Sequence, residues 1–261
     1  MPLEVITHEA TGNAKPTPVL FVHGSWSGAW CWAERFLPYF AAQGYNAHAL
    51  SLRGHGASAG RERLRWARLR DYVADVAQVA GRLPAAPVLV GHSMGGLIVQ
   101  KYLESHPAPL GVLLASVPVG GVLRATLGLA RRHPLAFLRA NLTLSPYDLI
   151  GTPALYREAL FSPAMPAELV NRYFARMQQE SYLAFLAMVF SRPKPEQVHS
   201  PMLVYGAGND RLFHISEIEA TAKAYHTEAV IFPDMAHGMN LEMGWQAVAD
   251  RLLADLANRG L

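Results

Sequence analysis

The chain predicts an α/β domain with a mostly parallel central sheet and helices on both faces. Three observations carry that expectation. Short unbroken apolar runs at 18–22, 87–90, 110–115 and 202–205 have the character of strands buried on both faces. Amphipathic segments stand between them, the clearest at 69–83, where Leu69, Tyr72, Val73, Val76, Val79, Ala80 and Leu83 share one face. The alternation of strand and helix calls for right-handed crossovers, which parallel strands require.

Taken in order, residues 3–8 form a candidate first strand, and the run 18–22 stops at His23-Gly24 in a loop at a strand's carboxyl end. Residues 29–42 are expected to form one helix, with Trp32, Phe36, Leu37 and Phe40 on one side and Gly44 beyond its end. A strand at 45–50 leads into the glycine-rich turn Arg53-Gly54-His55-Gly56-Ala57-Ser58. The basic run 61–70 reads as a solvated approach to the 69–83 helix, which Pro84 closes. Between 118 and 200 no strand is expected, but helix-like pieces occur at 121–132, 134–142, 153–161, 166–178 and 182–190, with Thr152-Pro153 as N-cap and first helical residue of one. A structureless connection of that length is rare inside a compact domain. Residues 118–200 are therefore expected to be a helical lid inserted into a core formed by 1–117 and 201–261. The core resumes with strands at 202–205 and 228–232, a helix at 217–225, and a last amphipathic helix carrying Trp245, Val248, Leu252, Leu253 and Leu256.

Composition narrows the chemistry. With 261 residues, 51% hydrophobic and 16% charged, the chain can bury a large core. A formal net charge of +3 gives no reason to expect nucleic acid as a partner. The single cysteine, Cys31, excludes an internal disulfide and reads as a buried structural thiol among Trp30, Trp32 and Phe36. H-E-x-x-H, C-x-x-C, a complete G-x-G-x-x-G and a Walker sequence are all missing, so neither a metal nor a cofactor is expected. The amino terminus lacks the pattern of a secretory signal and no apolar run reaches ~20 residues, so a soluble cytoplasmic protein without stable membrane insertion is expected.

The chemistry centres on Gly91-His92-Ser93-Met94-Gly95. A serine between two glycines, after a buried strand and before a helix, suits a nucleophile on a tight turn. The pattern alone arises by chance about 0.1 times in a chain of this size, so its partners decide. A serine hydroxyl needs a histidine to take its proton and a carboxylate to orient that histidine. Ser93, Asp210 and His237 occur in the order serine, acid, histidine, and the last two each follow a strand after the insertion. Asp234 lies too near His237 to orient the same ring, whereas Asp148 and Glu180 fall inside the insertion. The developing oxyanion needs two backbone N–H donors, assigned to Met94 and to Ser25 in the loop after the early strand. Trp26, Phe185 and Met188 are the candidate pocket residues.

Together, His23-Gly24-Ser25-Trp26-Ser27-Gly28-Ala29-Trp30, the turn at 53–58, Gly91-His92-Ser93-Met94-Gly95-Gly96, Gly208-Asn209-Asp210 and Ala236-His237-Gly238 resemble the α/β-hydrolase superfamily. The resemblance spans the chain except the insertion and implies the α/β-hydrolase fold. The first motif is also similar to the plant-esterase and hydroxynitrile-lyase branch, which implies small ester substrates. Gly238 stands where its lyase members carry lysine, which argues against cyanohydrin cleavage. Ser93 stands where dehalogenases and epoxide hydrolases carry aspartate, which argues against those reactions. The expectation is a cofactor-free serine esterase acting on a small-molecule ester with an apolar acyl or alcohol part. Alternatives are thioester or carbon–carbon bond hydrolysis or perhydrolysis on the same residues, a small-ligand sensor with residual hydrolysis, and a lipase-like enzyme if the lid's exterior is apolar. Oligomeric state is left open.

Overall fold

The computed structural model describes residues 1–261. Seven strands form one sheet: β1 (Val5–His8), β2 (Val19–Val22), β3 (Ala47–Leu50), β4 (Val88–His92), β5 (Gly111–Leu114), β6 (Met202–Ala207) and β7 (Ala229–Phe232). Their spatial order is β1-β3-β2-β4-β5-β6-β7, with β1 antiparallel to β3 and every other pair parallel. β2, β3, β4, β5 and β6 are buried throughout, whereas β1 at the edge alternates exposed and half-buried residues. The apolar runs of β2, β4, β5 and β6 therefore lie in the interior, while the alternating β1 and the half-buried β7 form the two edges.

The helices are α1 (Trp30–Ala33), α2 (Phe36–Ala42), α3 (Leu69–Ala80), α4 (Met94–Leu103), α5 (Leu123–Arg132), α6 (Pro134–Leu142), α7 (Pro153–Leu160), α8 (Ala167–Phe174), α9 (Tyr182–Phe190), α10 (Ile215–Ala224) and α11 (Trp245–Ala257). The two-residue period of each strand divides the core into two layers. Val19, Phe21, Val88 and Val90 pack with side chains of α1, α2 and α11, and Leu20, Val22 and Leu89 pack with those of α3, α4 and α10. Both faces are thus covered.

One helix expected over 29–42 is two. The chain breaks at Arg35, whose φ of −143° is not helical. Pro38 explains the break, because its ring has no N–H to donate and would clash with the carbonyl four residues back. The break leaves Pro38 in the first turn of α2, where a proline is tolerated. The basic run becomes a 3-10 helix at Arg61–Trp66, with only Leu64 buried.

Topology sets where a site can form. From β2 the chain steps outward to β3, then returns across β2 to β4, so the connections diverge between β2 and β4. Such a switch point opens a crevice at the strands' carboxyl ends. Register aligns that edge, since Val22 pairs with Gly91, Gly91 with Leu113, and Leu113 with Val204.

Candidate active site

Ser93 sits directly after β4 at this crevice, with φ 54° and ψ −119° as the N-cap of α4. That conformation is costly for a residue with a Cβ, on the order of 1–3 kcal/mol, and persists only where surroundings enforce it. The turn is so tight that a Cβ on Gly91 would lie 2.7 Å from the Gly96 Cα, and one on Gly95 would lie 2.6 Å from the His23 carbonyl oxygen. Both glycines are required by close backbone approach.

The structure brings Ser93, His237 and Asp210 into one line. His237 Nε2 lies 2.9 Å from Ser93 Oγ and its Nδ1 lies 2.8 Å from Asp210 Oδ2. Asp210 follows β6, and its other oxygen accepts from the Leu212 and Phe213 amides at 2.7 and 3.1 Å. Those two bonds orient the carboxylate toward the ring. His237 follows β7 in a loop held from several sides. Its carbonyl accepts from the His92 ring at 2.8 Å, the Gly238 amide donates to the Leu160 carbonyl at 2.7 Å, and Phe213 packs edge-on 5.1 Å from its ring. The His237 and Asp210 side chains are each only 1% exposed, which keeps their contact out of bulk water.

Across the crevice is the loop after β2. The Ser25 amide donates to no other protein group. Met94, the first residue of α4, carries one of the N–H groups that a helix leaves without an internal acceptor. Ser25 Oγ contacts Met94 Sδ at 3.4 Å, so the two segments are in touch. His23 fixes the loop's start. Its Nδ1–H donates to the Gly24 carbonyl at 2.7 Å, and its Nε2 accepts from the Leu52 amide at 3.0 Å. Burial and then the neighbouring His55 push the His23 pKa down to about 3, and burial and then His237 do the same for His92, also to about 3. Both rings are neutral scaffolding.

Trp26 has φ 63°, and its amide donates to Glu180 Oε2 at 3.3 Å. Glu180, set aside in the sequence as an acid within the insertion, is buried among donors. Its Oε1 accepts from Tyr72 Oη at 2.7 Å and from the Ser181 amide at 2.6 Å. His55 Nε2 lies 3.3 Å from Oε2, an ion-pair distance without good hydrogen-bond alignment. Burial opposes ionisation of Glu180, but His55 and the Tyr72 and Ser181 hydrogen bonds outweigh it and hold the pKa below the ordinary carboxylate value. Gln178 adds bonds to the Trp26 carbonyl, the Gly54 carbonyl and the Gly56 amide. The glycine-rich turn at 53–58 thus docks residues 178–181 beside the Ser25 loop. The only sequence signal for Glu180 is an acid in the polar stretch Gln178-Gln179-Glu180-Ser181, which identifies no partner.

A cavity of about 30 Å³ adjoins Ser93 and His237, walled by Trp26, Tyr156, Leu160, Phe161, Met177 and Leu241 among others. Of the candidate pocket residues, Trp26 lines this cavity. Phe185 and Met188 are not in this wall: α9 packs beside α3 and the 3-10 helix, and both side chains join the core layer of α3 and α4. Because α9 is apolar nearly all round, its sequence did not say which side faces the cavity, and α7 supplies the aromatic wall instead. Cys31 lines the same cavity, and burial pushes its thiol up to about 11. No group of three or more His, Cys, Asp or Glu side chains is arranged to hold a metal ion. No helix is long and apolar enough to cross a membrane.

Fold and site geometry define an α/β protein with a serine, histidine and carboxylate assembled at the strands' carboxyl ends. Residues 19–251 match the model of the alpha/beta hydrolase family, and the chain belongs to that family. A pyrethroid hydrolase of Sphingobium wenxiniae is 29% identical over 98 residues, covering 38% of this chain and 34% of that protein. Methylesterase 3 of Arabidopsis thaliana is 32% identical over 96 residues, covering 36% of each. The matched stretch spans about a third of these relatives' length. A monoacylglycerol lipase of Paleococcus ferrophilus superposes with a TM-score of 0.75 at 18% identity, covering 99% of this chain and 100% of that one, which establishes the shared fold.

Proposed function

We propose that this protein is a serine hydrolase that cleaves carboxylic esters having an apolar acyl or alcohol part. The observation that supports it most is the unbroken line from Ser93 Oγ through the His237 ring to Asp210 Oδ2. Ser93 Oγ attacks the ester carbonyl carbon as its proton passes to His237 Nε2. Asp210 holds the ring by Nδ1 and stabilises the imidazolium. The Ser25 and Met94 amides receive the oxyanion, each contributing about 3 kcal/mol in the transition state. Collapse expels the alcohol, which takes the proton from His237 and leaves an acyl-Ser93 ester. Water, deprotonated by His237, then attacks that ester and releases the acid. The names of the matched relatives, a pyrethroid hydrolase and a methylesterase, agree with ester chemistry.

Residues 118–200 act as a lid in this reading. A cavity of about 30 Å³ holds no ester, whereas ligand pockets run to roughly 300 Å³ or more. The wall formed by Tyr156 and Leu160 of α7 and the adjoining Phe161 therefore has to move for substrate to enter. Its apolar character favours an apolar group beside the ester. Turnover of a p-nitrophenyl acyl series by the wild type and Ser93→Ala tests the mechanism. The substitution lowers kcat by about 10⁶-fold with the circular dichroism spectrum unchanged; a variant that keeps its turnover would show that another group attacks.

A further inference from the structure

We propose that the helical hairpin α5–α6 is a docking surface for anionic phospholipid bilayers. The protein exposes five leucines by more than half, and all lie here: Leu123, Leu127, Leu135, Leu138 and Leu142, at 55% to 82% exposure. On α5, Leu123 and Leu127 are one turn apart; on α6, Leu135, Leu138 and Leu142 fall at i, i+3 and i+7, one stripe along a helix. α5 buries no residue and α6 only Ala140, so the stripes serve no internal core. The Val122 amide donates to the Met188 carbonyl at 3.2 Å, which brings the end of α9 alongside and adds Phe190, 78% exposed.

Charge selects the occupant. The hairpin carries Arg124, Arg131, Arg132 and Arg139 and no acidic residue. Arg139 is paired with Asp148 at 3.3 Å and His133 contacts Glu158 at 3.1 Å, but Arg124, Arg131 and Arg132 make no ion pair. A second copy of the chain packed on this face by two-fold symmetry would set these arginines against themselves, with the nearby acids already engaged. An anionic headgroup layer neutralises them while the leucines enter the acyl boundary, and the arginine stems can follow apolar surface to reach the phosphates. Helices of ten and nine residues are too short to span a bilayer but suit lying in its interface. A surface cleft of about 800 Å³ beside α5 is lined by Arg124, Arg131, Arg132, Arg192 and Arg211, and Asp210 forms part of the same lining. The docking face therefore adjoins the loop that carries the proposed catalytic acid.

The full chain is sedimented with phosphatidylcholine vesicles with and without phosphatidylglycerol, alongside an Arg124→Gln/Arg131→Gln/Arg132→Gln variant and a Leu135→Ser/Leu138→Ser/Leu142→Ser variant. Hydrolysis of a short soluble ester by each preparation, together with its circular dichroism, checks folding. Vesicle binding is read without turnover, so failure of docking and failure of the esterase reading are separate results. Expected are salt-sensitive binding that needs phosphatidylglycerol, a loss of about fivefold for each arginine replaced, and no binding by the leucine variant. The proposal is overturned if the wild type stays in the supernatant, if neutral vesicles bind it equally, or if the leucine variant binds undiminished. It is also overturned if the wild type forms a dimer that the leucine substitutions dissociate, which would make this face a contact between copies.

Discussion

At the scale of single residues, hydrogen-bond partners rather than burial distinguish the histidines, since His23, His92 and His237 are all buried. His23, His92 and His237 all lie within the crevice, yet only His237 has one ring nitrogen on a carboxylate and the other on a hydroxyl. His23 and His92 are held neutral, with folded-state values near 3 against an ordinary 6.5. Between these limits the unfolded chain binds protons that the folded chain refuses, so both contribute stability that is complete above pH 6.5 and is lost as pH falls toward 3. Urea unfolding from pH 7 to pH 4.5 is expected to show stability falling by roughly 1 kcal/mol per pH unit for each histidine. A His92→Asn variant should show a shallower slope; an unchanged slope would place the proton uptake elsewhere.

At the scale of elements, the segment 178–181 joins the insertion to the loop that precedes α1. Glu180 accepts from Tyr72, the Ser181 amide and the Trp26 amide, three donors shared between its two oxygens, with His55 Nε2 3.3 Å from one of them. In Glu180→Gln the amide nitrogen has to replace one accepting oxygen and opposes a donor whichever way it turns. That change is expected to cost about 3 kcal/mol of stability, of the order found when one partner of a buried pair is lost. It should also lower kcat more than it raises KM, because in the proposed mechanism the Ser25 amide, next to the released Trp26 peptide, acts on the transition state. Thermal unfolding together with separate kcat and KM values checks both parts, and a loss confined to stability would limit Glu180 to a structural role. Pro38 shows the other side of element formation. A single proline divided a stretch whose apolar spacing alone reads as one helix.

Across the whole molecule, cohesion is uneven. The central strands are buried on both faces, while α5 and α6 bury one residue between them. Hydrogen exchange should follow this division, with amides of α5 and α6 exchanging at least ~100-fold faster than those of β2, β4 and β5. Equal protection would mean that these helices open only with the core, and would remove the mobility a lid needs. The same weak attachment leaves the leucine stripes free to meet another surface.

Much of this molecule is determined by local sequence. Apolar runs mark the interior strands because parallel strands between two helix layers have no wet face. That Ser93, Asp210 and His237 come together is legible because the tight turn at Ser93 needs Gly91 and Gly95, and because Asp210 and His237 each follow a strand at the sheet's carboxyl edge. Tertiary structure decides what depends on residues far apart in the chain. The burial of Glu180 depends on Tyr72, His55 and Trp26, none of them its sequence neighbours. The cavity wall falls to α7 rather than α9 because an all-apolar helix carries no stripe to tell its neighbours apart, so packing alone orients it. The leucines of α5 and α6 have the spacing of a buried stripe, and only the folded chain shows that nothing within it covers them.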